Sequence, residues 1–439
     1  MTPIALNHSF GPRAIAWVVV LSLTGTLASG ADASPLTLQA AHETALRNHP
    51  QIRVGDLKAL AARQVTRQFR AAFFPTLAAN VMSVGTADEN TRLGAIGSLN
   101  NPSVFDRNAE GIVLTQLITD FGRTANLTGS AKLRAQAEAD NAQATREQIL
   151  LAVDASFYAA QQAQSVTRVA EQTVTTRQGF LDQVSALASN KLRSDLDVSF
   201  AKVNVDEAKL LLSKARNDLQ AEFARLANLM GMSEPSDWRL AEEPAPPPLS
   251  TNVSELVAQG LQLRPELLSL RNSREAALKF ARAEKALHYP TVSAVGSAGV
   301  IPVGDPQLPP NYAAAGVSVT LPLYVGGLYS ARIQEAELRA RAAEESLRDL
   351  ENNVIRDVRI AWLNAQNAFD RLHITSELLD NTKLSYDLAQ ARYKTGISSI
   401  VEFNQAELNL LAAQLTYANT RYEYLVQRSA LSFQTGSLR

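Results

Sequence analysis

The side chains that most often carry catalytic chemistry form no known motif in this 439-residue chain. His42 and Glu43 begin a pattern found in zinc enzymes, but Leu46 stands where the second histidine belongs. The five histidines are scattered, and without cysteine the chain has no thiolate site, disulfide or lipid-modified cysteine. It contains neither a phosphate-binding loop nor a nucleophile elbow. We therefore expect no enzyme activity, no metal and no cofactor.

Other polar side chains gather around a turn between two helical stretches near the end of the chain. This turn reads Tyr-Lys-Thr-Gly-Ile-Ser-Ser-Ile-Val-Glu from Tyr393 to Glu402. The Tyr393 hydroxyl can donate a charge-assisted hydrogen bond to a carboxylate. Glu402 and Gln405 are three residues apart and share one face of the following helix. The alternative interpretation is that these are ordinary solvated residues of a turn and a helix.

The composition indicates long helices rather than one thick core. Alanine, leucine, glutamine, arginine and glutamate are plentiful, whereas aromatic residues make up only 6% of the chain. The formal net charge is -1, which gives no reason to expect a nucleic-acid partner.

The chain contains two diverged copies of one unit, which place the same residue types in the same order. The recurring residues are Pro50, Arg67, Pro75, Gly122 and Gly231, which return as Pro265, Arg282, Pro290, Gly327 and Gly436. We assign residues 34–231 to the first repeat and residues 253–439 to the second, with a proline-rich link at 232–252. Such repeats build rings and tubes more readily than enclosed catalytic pockets.

Each repeat is predicted to contain two long helices. Residues 122–189 and 327–395 contain no proline, and a helix of that length would extend about 100 Å at ~1.5 Å per residue. Such a helix must pack along its length, as coiled coils do. Alanines at three- and four-residue spacing would let the helix axes approach closely. Shorter return helices are predicted at 196–230 and 400–431.

Two strands are predicted in each repeat, near residues 77–85 and 111–119 and near residues 291–300 and 313–324. Val317, Val319, Leu321 and Leu323 alternate with small or polar residues, which suits either a tilted strand in a bilayer or a soluble hairpin. Four strands cannot close a membrane barrel, since the smallest use about eight. If these strands enter a membrane, the chain must therefore form an oligomer.

The first 33 residues are predicted to be a secretory signal peptide. Arg13 ends a short leading region, and a mostly apolar run follows from Ala14 to Leu27 before a series of small residues. A membrane anchor is the alternative, but the run is short for a spanning helix. We therefore expect export from the cytoplasm.

The turn from Tyr393 to Glu402 resembles the Tyr-x-x-Gly-x-x-x-Ile-Val-Asp turn of the TolC family of outer-membrane efflux proteins. The stretch from Asn190 to Asp197 is the equivalent turn in the first repeat. Residues 120–122 (Asp-Phe-Gly) and 325–327 (Val-Gly-Gly) resemble the family's strand-to-helix junctions. The repeat, the order of elements and the link are also similar to the family over essentially the whole mature chain.

This resemblance implies a mainly α fold with a small β part: a long α-helical coiled-coil barrel plus four β-strands per chain. A homotrimer would form a 12-stranded β-barrel in the lipid of the bacterial outer membrane and a 12-helix tunnel across the periplasm. The tunnel would dock a periplasmic adaptor protein and an inner-membrane transporter and would conduct small molecules or proteins outward. The alternative is a soluble periplasmic coiled-coil scaffold or adaptor.

The resemblance also implies functional residues at the inner end of the tunnel. Asp197 and Tyr393 match a gate latch between neighbouring helices. Glu402 matches the first of two acidic residues at the constriction, and Gln405 stands where the family often has the second. Ser398 replaces a basic residue, for which Arg193 or Lys394 could substitute. The residues that would contact the adaptor are Lys191, Leu192, Thr395, Gly396 and Ile397.

Overall fold

The computed structural model describes residues 35–85, 107–242, 252–303 and 309–438. The predicted signal peptide at 1–33 and most of the polar segments between the strands of each repeat lie outside these ranges. So does most of the proline-rich part of the link.

The described residues form two series of elements in the same order: two short helices, two strands and two long helices. The first series is α1 (Leu38–Asn48), α2 (Pro50–Ala71), β1 (Thr76–Val84), β2 (Arg107–Thr119), α3 (Arg123–Ser189) and α4 (Asp195–Leu229). The second series is α5 (Val253–Leu263), α6 (Pro265–Lys285), β3 (Thr291–Val303), β4 (Asn311–Thr320), α7 (Leu328–Lys394) and α8 (Ile400–Gln434). The long helices match in length between the series, with 67 residues in both α3 and α7 and 35 in both α4 and α8.

Proline and glycine fix the element boundaries that the repeat predicts. Pro50 begins α2, where its missing N–H costs no helical hydrogen bond, and His49 before it is extended. Gly122 and Gly327 precede α3 and α7 with φ of 89° and 80°, a left-handed backbone that glycine adopts without steric cost. The long helices therefore begin at equivalent points of the two repeats.

The four strands form one antiparallel sheet in the order β1-β2-β3-β4. Strands β1 and β4 are its edges, and β4 is exposed along its whole length. Leu77, Val81 and Val317 are among the large apolar residues that the sheet exposes.

The sheet corrects three strand boundaries predicted from sequence. Strand β4 ends at Thr320 rather than at residue 324, so Leu321 and Leu323 lie outside it, and Leu323 is 89% exposed. The reason is the register: Thr320 pairs with Thr291, the first residue after Pro290, so β3 offers no further partner. Strands β2 and β3 extend past the predicted residues 111 and 300, because Asn108 still pairs with Val303.

A hydrophobic core lies near the middle of α3, where α4 and α8 approach their C-terminal ends. Val153 and Phe157 of α3, Leu226 of α4 and Leu425 of α8 are buried there, together with Ile52 of α2. Helix α3 packs along α4, helix α7 packs along α8, and α3 also packs against α8. This last contact joins the two repeats.

Small residues line the helix contacts, as the sequence predicts. The buried alanines of the two predicted series are Ala131, Ala135 and Ala142 in α3 and Ala336 and Ala340 in α7. Their size lets neighbouring helix axes approach closely. Within the described residues, no helix combines the length and apolar composition needed to cross a membrane.

Candidate functional site

The candidate site lies where the chain reverses between the long helices. We call residues 190–194 the first tip turn and residues 395–399 the second tip turn. In each turn, the backbone N–H of the third residue beyond the helix bonds back to the last helical turn. Leu192 donates to the Leu187 carbonyl at 2.9 Å, and Ile397 donates to the Arg392 carbonyl at 2.9 Å. Both helices therefore end in the same Schellman arrangement.

Serine side chains begin the return helices α4 and α8 at equivalent positions. The Ser194 hydroxyl accepts from the Asp197 N–H at 3.2 Å, and the Ser399 hydroxyl accepts from the Glu402 N–H at 3.3 Å. The Asp197 carboxylate also accepts from the Ser194 N–H at 3.4 Å, which completes a capping box. Asp197 and Glu402 thus occupy the same place in the two repeats.

Arg193 of the first tip turn reaches the end of α7, just before the second tip turn. Its guanidinium donates to the Tyr393 carbonyl at 3.1 Å and lies 4.3 Å from the centre of the Tyr393 ring. One side chain of the first turn thereby meets both the backbone and the ring of the last residues of α7. Whether Arg193 or Lys394 substitutes for the basic residue that Ser398 replaces stays a prediction.

Tyr393 belongs to an aromatic cluster between α3, α7 and α8. Its ring lies 5.5 Å from that of Phe403 and 5.6 Å from that of Phe180, and the residue is only 5% exposed. Its hydroxyl is buried, with no hydrogen-bond partner among the described residues. Burial raises the pKa of this hydroxyl, the Arg193 charge opposes the rise, and the Asp197 charge adds to it.

Asp197 and Tyr393 are close enough to interact electrostatically, but no hydrogen bond joins them within the described chain. The Asp197 carboxylate caps its own helix, while the Tyr393 hydroxyl faces the packed aromatic cluster. The two predicted latch residues are therefore neighbours. The latch itself stays a prediction.

Glu402 and Gln405 lie on the exposed side of α8. Phe403 and Ala406 point from the same turns into the packed side. Glu402 forms an exposed ion pair with Arg392 at 3.6 Å, and Gln405 donates to Asn409 at 3.0 Å. Both residues are thus exposed on the single chain, and their place at a constriction stays a prediction.

The five predicted docking residues are all exposed at the two tip turns. Leu192 and Ile397 are the large apolar side chains among them, at 69% and 71% exposure. These two side chains are thus accessible to another surface, and the docking role stays a prediction.

A buried ion cluster beside the site was not predicted from the sequence. The Arg177 guanidinium of α3 bonds to the Glu407 carboxylate of α8 at 3.3 Å and to the Asn204 carbonyl of α4 at 2.8 Å. The available signal was the position of Glu407, four residues after Phe403 and next to Ala406, on an otherwise buried face of α8. Among the described residues, no group of His, Cys, Asp or Glu is arranged to hold a metal ion.

Comparison with known sequences identifies one matching family profile. It is described as outer membrane efflux protein, and it matches residues 41–232 and 256–437. The two matched stretches lie on either side of the proline-rich link.

Individual relatives are similar at low identity. The outer membrane protein TolC of Escherichia coli is 24% identical over 303 residues, which cover 66% of this chain and 59% of that protein. The chain thus matches less than two thirds of the length of TolC. The solvent efflux pump outer membrane protein SrpC of Pseudomonas putida is 24% identical over 392 residues, which cover 87% of this chain and 81% of that protein.

Solved structures share the fold. The outer membrane protein VceC of Vibrio cholerae has a TM-score of 0.75 at 18% identity and covers 91% of this chain and 96% of its own. The open state of the MtrE outer membrane channel of Neisseria gonorrhoeae has a TM-score of 0.73 at 20% identity and covers 92% of this chain and 89% of its own.

Proposed function

The chain belongs to the outer membrane efflux protein family, and from this premise we propose that it forms the passive exit duct of a tripartite efflux or type I secretion machine. The sheet lies in the bacterial outer membrane, and the long helices cross the periplasm. Small molecules or proteins pass outward from an inner-membrane transporter, which supplies the energy. We assign the chain itself no catalytic role.

The assembly is a homotrimer. Strands β1 and β4 leave unpaired backbone groups at both edges of the four-stranded sheet, which a membrane would not tolerate. Neighbouring copies satisfy these edges by joining three sheets into one closed twelve-stranded wall. Exposed apolar residues of α7 at helical spacing, Leu363, Ile374 and Leu378, are covered in the same assembly.

The two tip turns form the regulated entrance of this duct. Asp197 and Tyr393 latch neighbouring helices, and Glu402 and Gln405 of each copy face the axis at the constriction. Three Glu402 carboxylates around one axis favour cations and repel anions. Gln405 adds no charge, so this ring is weaker than one made of two acidic residues per chain. Loosening of α7 and α8 opens the entrance in an iris-like motion.

The exposed ends of the tip turns dock a periplasmic adaptor protein. Leu192 and Ile397 provide apolar contact, and Lys191, Thr395 and Gly396 surround them. Each turn contains one residue with a left-handed backbone at the equivalent position, Lys191 and Gly396. The adaptor in turn connects the duct to the inner-membrane transporter.

One observation carries this assignment. A single chain places an exposed sheet with two open edges and two pairs of long helices in one fold. A soluble periplasmic scaffold has no use for exposed apolar strands.

The test is the conductance of the purified full-length protein in planar bilayers, with its mass measured in detergent. A trimer that inserts and gives a small, cation-leaning conductance is expected. A monomer that never inserts would overturn the channel assignment and favour the periplasmic scaffold.

A further inference from the structure

Few polar contacts join the two helix pairs on the tip side of the core, and one of them is buried. Asn204 of α4 donates to Asn404 of α8 at 3.1 Å at a partly buried position. Arg177 of α3 reaches Glu407 of α8 in a buried position, with 3% and 11% of the two side chains exposed. A buried ionic contact between helices depends steeply on their spacing, because an unpaired buried charge is strongly unfavourable.

The Arg177 guanidinium has partners on both sides of this junction. Its Nε bonds to the Glu407 carboxylate at 3.3 Å, while its Nη1 bonds to the Asn204 carbonyl at 2.8 Å and lies 3.7 Å from the Glu207 carboxylate. Glu207 is on α4, which stays packed along α3, and 58% of its side chain is exposed. The Nη2 atom is buried without a partner among the described residues.

This geometry gives Arg177 a second carboxylate when α8 moves. If α8 withdraws, Glu407 leaves with it, but the Asn204 carbonyl and Glu207 remain with α4. The unused Nη2 donor provides the additional hydrogen bond that a closer approach of Glu207 requires. The Arg177 charge then stays paired in both positions of α8, which lowers the energetic cost of separation.

The proposed trimer contains two kinds of junction between helix pairs, one within a chain and one between neighbouring copies. Comparison of the two repeats indicates that the Arg177–Glu407 contact occurs only at the junction within a chain. Thr382 of α7 stands at the position equivalent to Arg177, and Lys202 of α4 stands at the position equivalent to Glu407. Within a chain α3 meets α8, so the repeat relates this junction to one between α7 and α4 of neighbouring copies. That second junction has no oppositely charged pair at these positions.

We infer that Arg177 is a positioning residue for the tip entrance: through Glu407 it holds α8 against the α3–α4 pair, and Glu207 takes over its charge when α8 moves away. Glu407 lies five residues beyond Glu402, or about 7.5 Å along α8 at ~1.5 Å per residue. A shift of α8 at Glu407 therefore moves the constriction residues directly. The effect of Arg177 on conduction rests on the proposed channel function.

The charged and titratable groups around Glu407 are few. Arg177 faces it from α3, Glu207 approaches through Arg177 from α4, and Tyr386 of α7 feels its charge. Burial raises the pKa of Glu407, and Arg177 opposes this rise.

Single-channel recordings of the full-length trimer in planar bilayers test the inference. We expect Arg177→Met and Glu407→Gln to raise the frequency of openings several-fold, because α8 loses its ionic hold. Arg177→Lys, which keeps the charge, should restore much of the wild-type behaviour. Glu207→Gln should act in the opposite direction and give fewer openings, because the alternative partner is lost. The matched control is Lys202→Gln at the equivalent position of the other repeat, which should behave as the wild type.

The outcomes separate the inference from the function on which it rests. A wild-type protein that forms no channel contradicts the proposed function. A conducting wild type with unchanged openings in Arg177→Met and Glu407→Gln overturns the positioning role. An increase in Glu207→Gln overturns the transfer of charge, and so does an equal increase in Lys202→Gln, which would show a general loosening. The mass of each variant, measured in detergent, must match that of the wild type, so that a change in assembly is recognised.

Discussion

Lys191 and Gly396 occupy equivalent positions in the two tip turns and share a left-handed backbone, with φ of 61° and 76°. The sequence showed that the first turn lacks glycine, and the structure shows that the turn keeps its conformation regardless. A residue with a Cβ at such φ carries a steric cost that glycine avoids.

Lys191→Gly is therefore expected to stabilise the protein by about 1 kcal/mol, since it removes this cost. The gain is limited by the greater freedom of glycine in the unfolded chain. Denaturant-induced unfolding followed by circular dichroism measures it. The reciprocal variant Gly396→Ala should destabilise by a similar amount, and a neutral Gly396→Ala would contradict the strain at this position.

The proposed latch predicts a gain in conductance when both partners are lost. Tyr393→Phe combined with Asp197→Ala removes the hydroxyl and the carboxylate, so the closed entrance loses a charge-assisted bond. Conductance in planar bilayers should rise, whereas Asp195→Ala, two residues away and with Tyr393 kept, should leave it unchanged. Equal conductance of the first variant and the wild type would remove the latch.

Stability measurements on Tyr393→Phe alone test the same pair in another way. The Tyr393 hydroxyl is buried without a partner in the described chain, so in protein kept monomeric in detergent its removal should be neutral or stabilising by about 1 kcal/mol. A clear destabilisation of the assembled trimer would instead show that a neighbouring copy supplies the missing partner.

The proposed constriction predicts a graded change in ion selectivity. Gln405→Glu adds a second carboxylate per chain on the exposed face of α8, so cation preference and cation block should increase. Glu402→Gln should reduce both. Reversal potentials in a salt gradient measure the preference, and Glu423→Gln, which breaks the exposed Arg371 pair at 2.9 Å farther along α8, serves as control. If neither Gln405→Glu nor Glu402→Gln alters the reversal potential, these residues lie away from the conducting path.

Glu407 predicts a pH dependence of stability with an unusual sign for a paired carboxylate. Its pKa is raised in the folded chain because burial outweighs Arg177, so the folded state binds the proton more tightly than the unfolded state. The contribution of Glu407 to the free energy of unfolding should therefore rise as the pH falls through its folded pKa toward 4.5. It should be constant below that value.

Unfolding measured between neutral and mildly acidic pH checks this expectation. Glu407→Gln should flatten the corresponding part of the profile, because its amide does not titrate. A wild-type profile that falls with acid and is unchanged by this substitution would contradict the assignment.

Local sequence signals predicted most of the fold. Pro50, Gly122 and Gly327 act on their own backbone, so they mark element boundaries that need no knowledge of distant residues. The end of β4 could not be found in this way, because it is set by the partner strand, which begins after Pro290. The alternation of apolar and polar residues continues in the sequence through Leu323, but no residue of β3 lies opposite to pair with this stretch.

The candidate site was predictable to the extent that it is local. The tip turns and their exposed residues follow from motifs within a few positions of each other. The Arg177 cluster joins side chains 230 positions apart in the sequence. Its burial depends on α3 meeting α8, which no local pattern reveals. The capping role of Asp197 was likewise missed, although Ser194 three residues earlier is a recognisable signal.

The long helices differ in length, so the helical part of the molecule has two segments with different composition. Helices α3 and α7 run unbroken for 67 residues, whereas α4 and α8 run for only 35 and cover the tip side. On the sheet side, α2 and α6 pack against α3 instead. Helices α4 and α8 thus end about halfway along the helical part, while α3 and α7 continue past that point. Helices α3 and α7 are therefore the continuous elements that connect the tip turns to the sheet, so a movement that begins at the tips reaches the sheet chiefly through them.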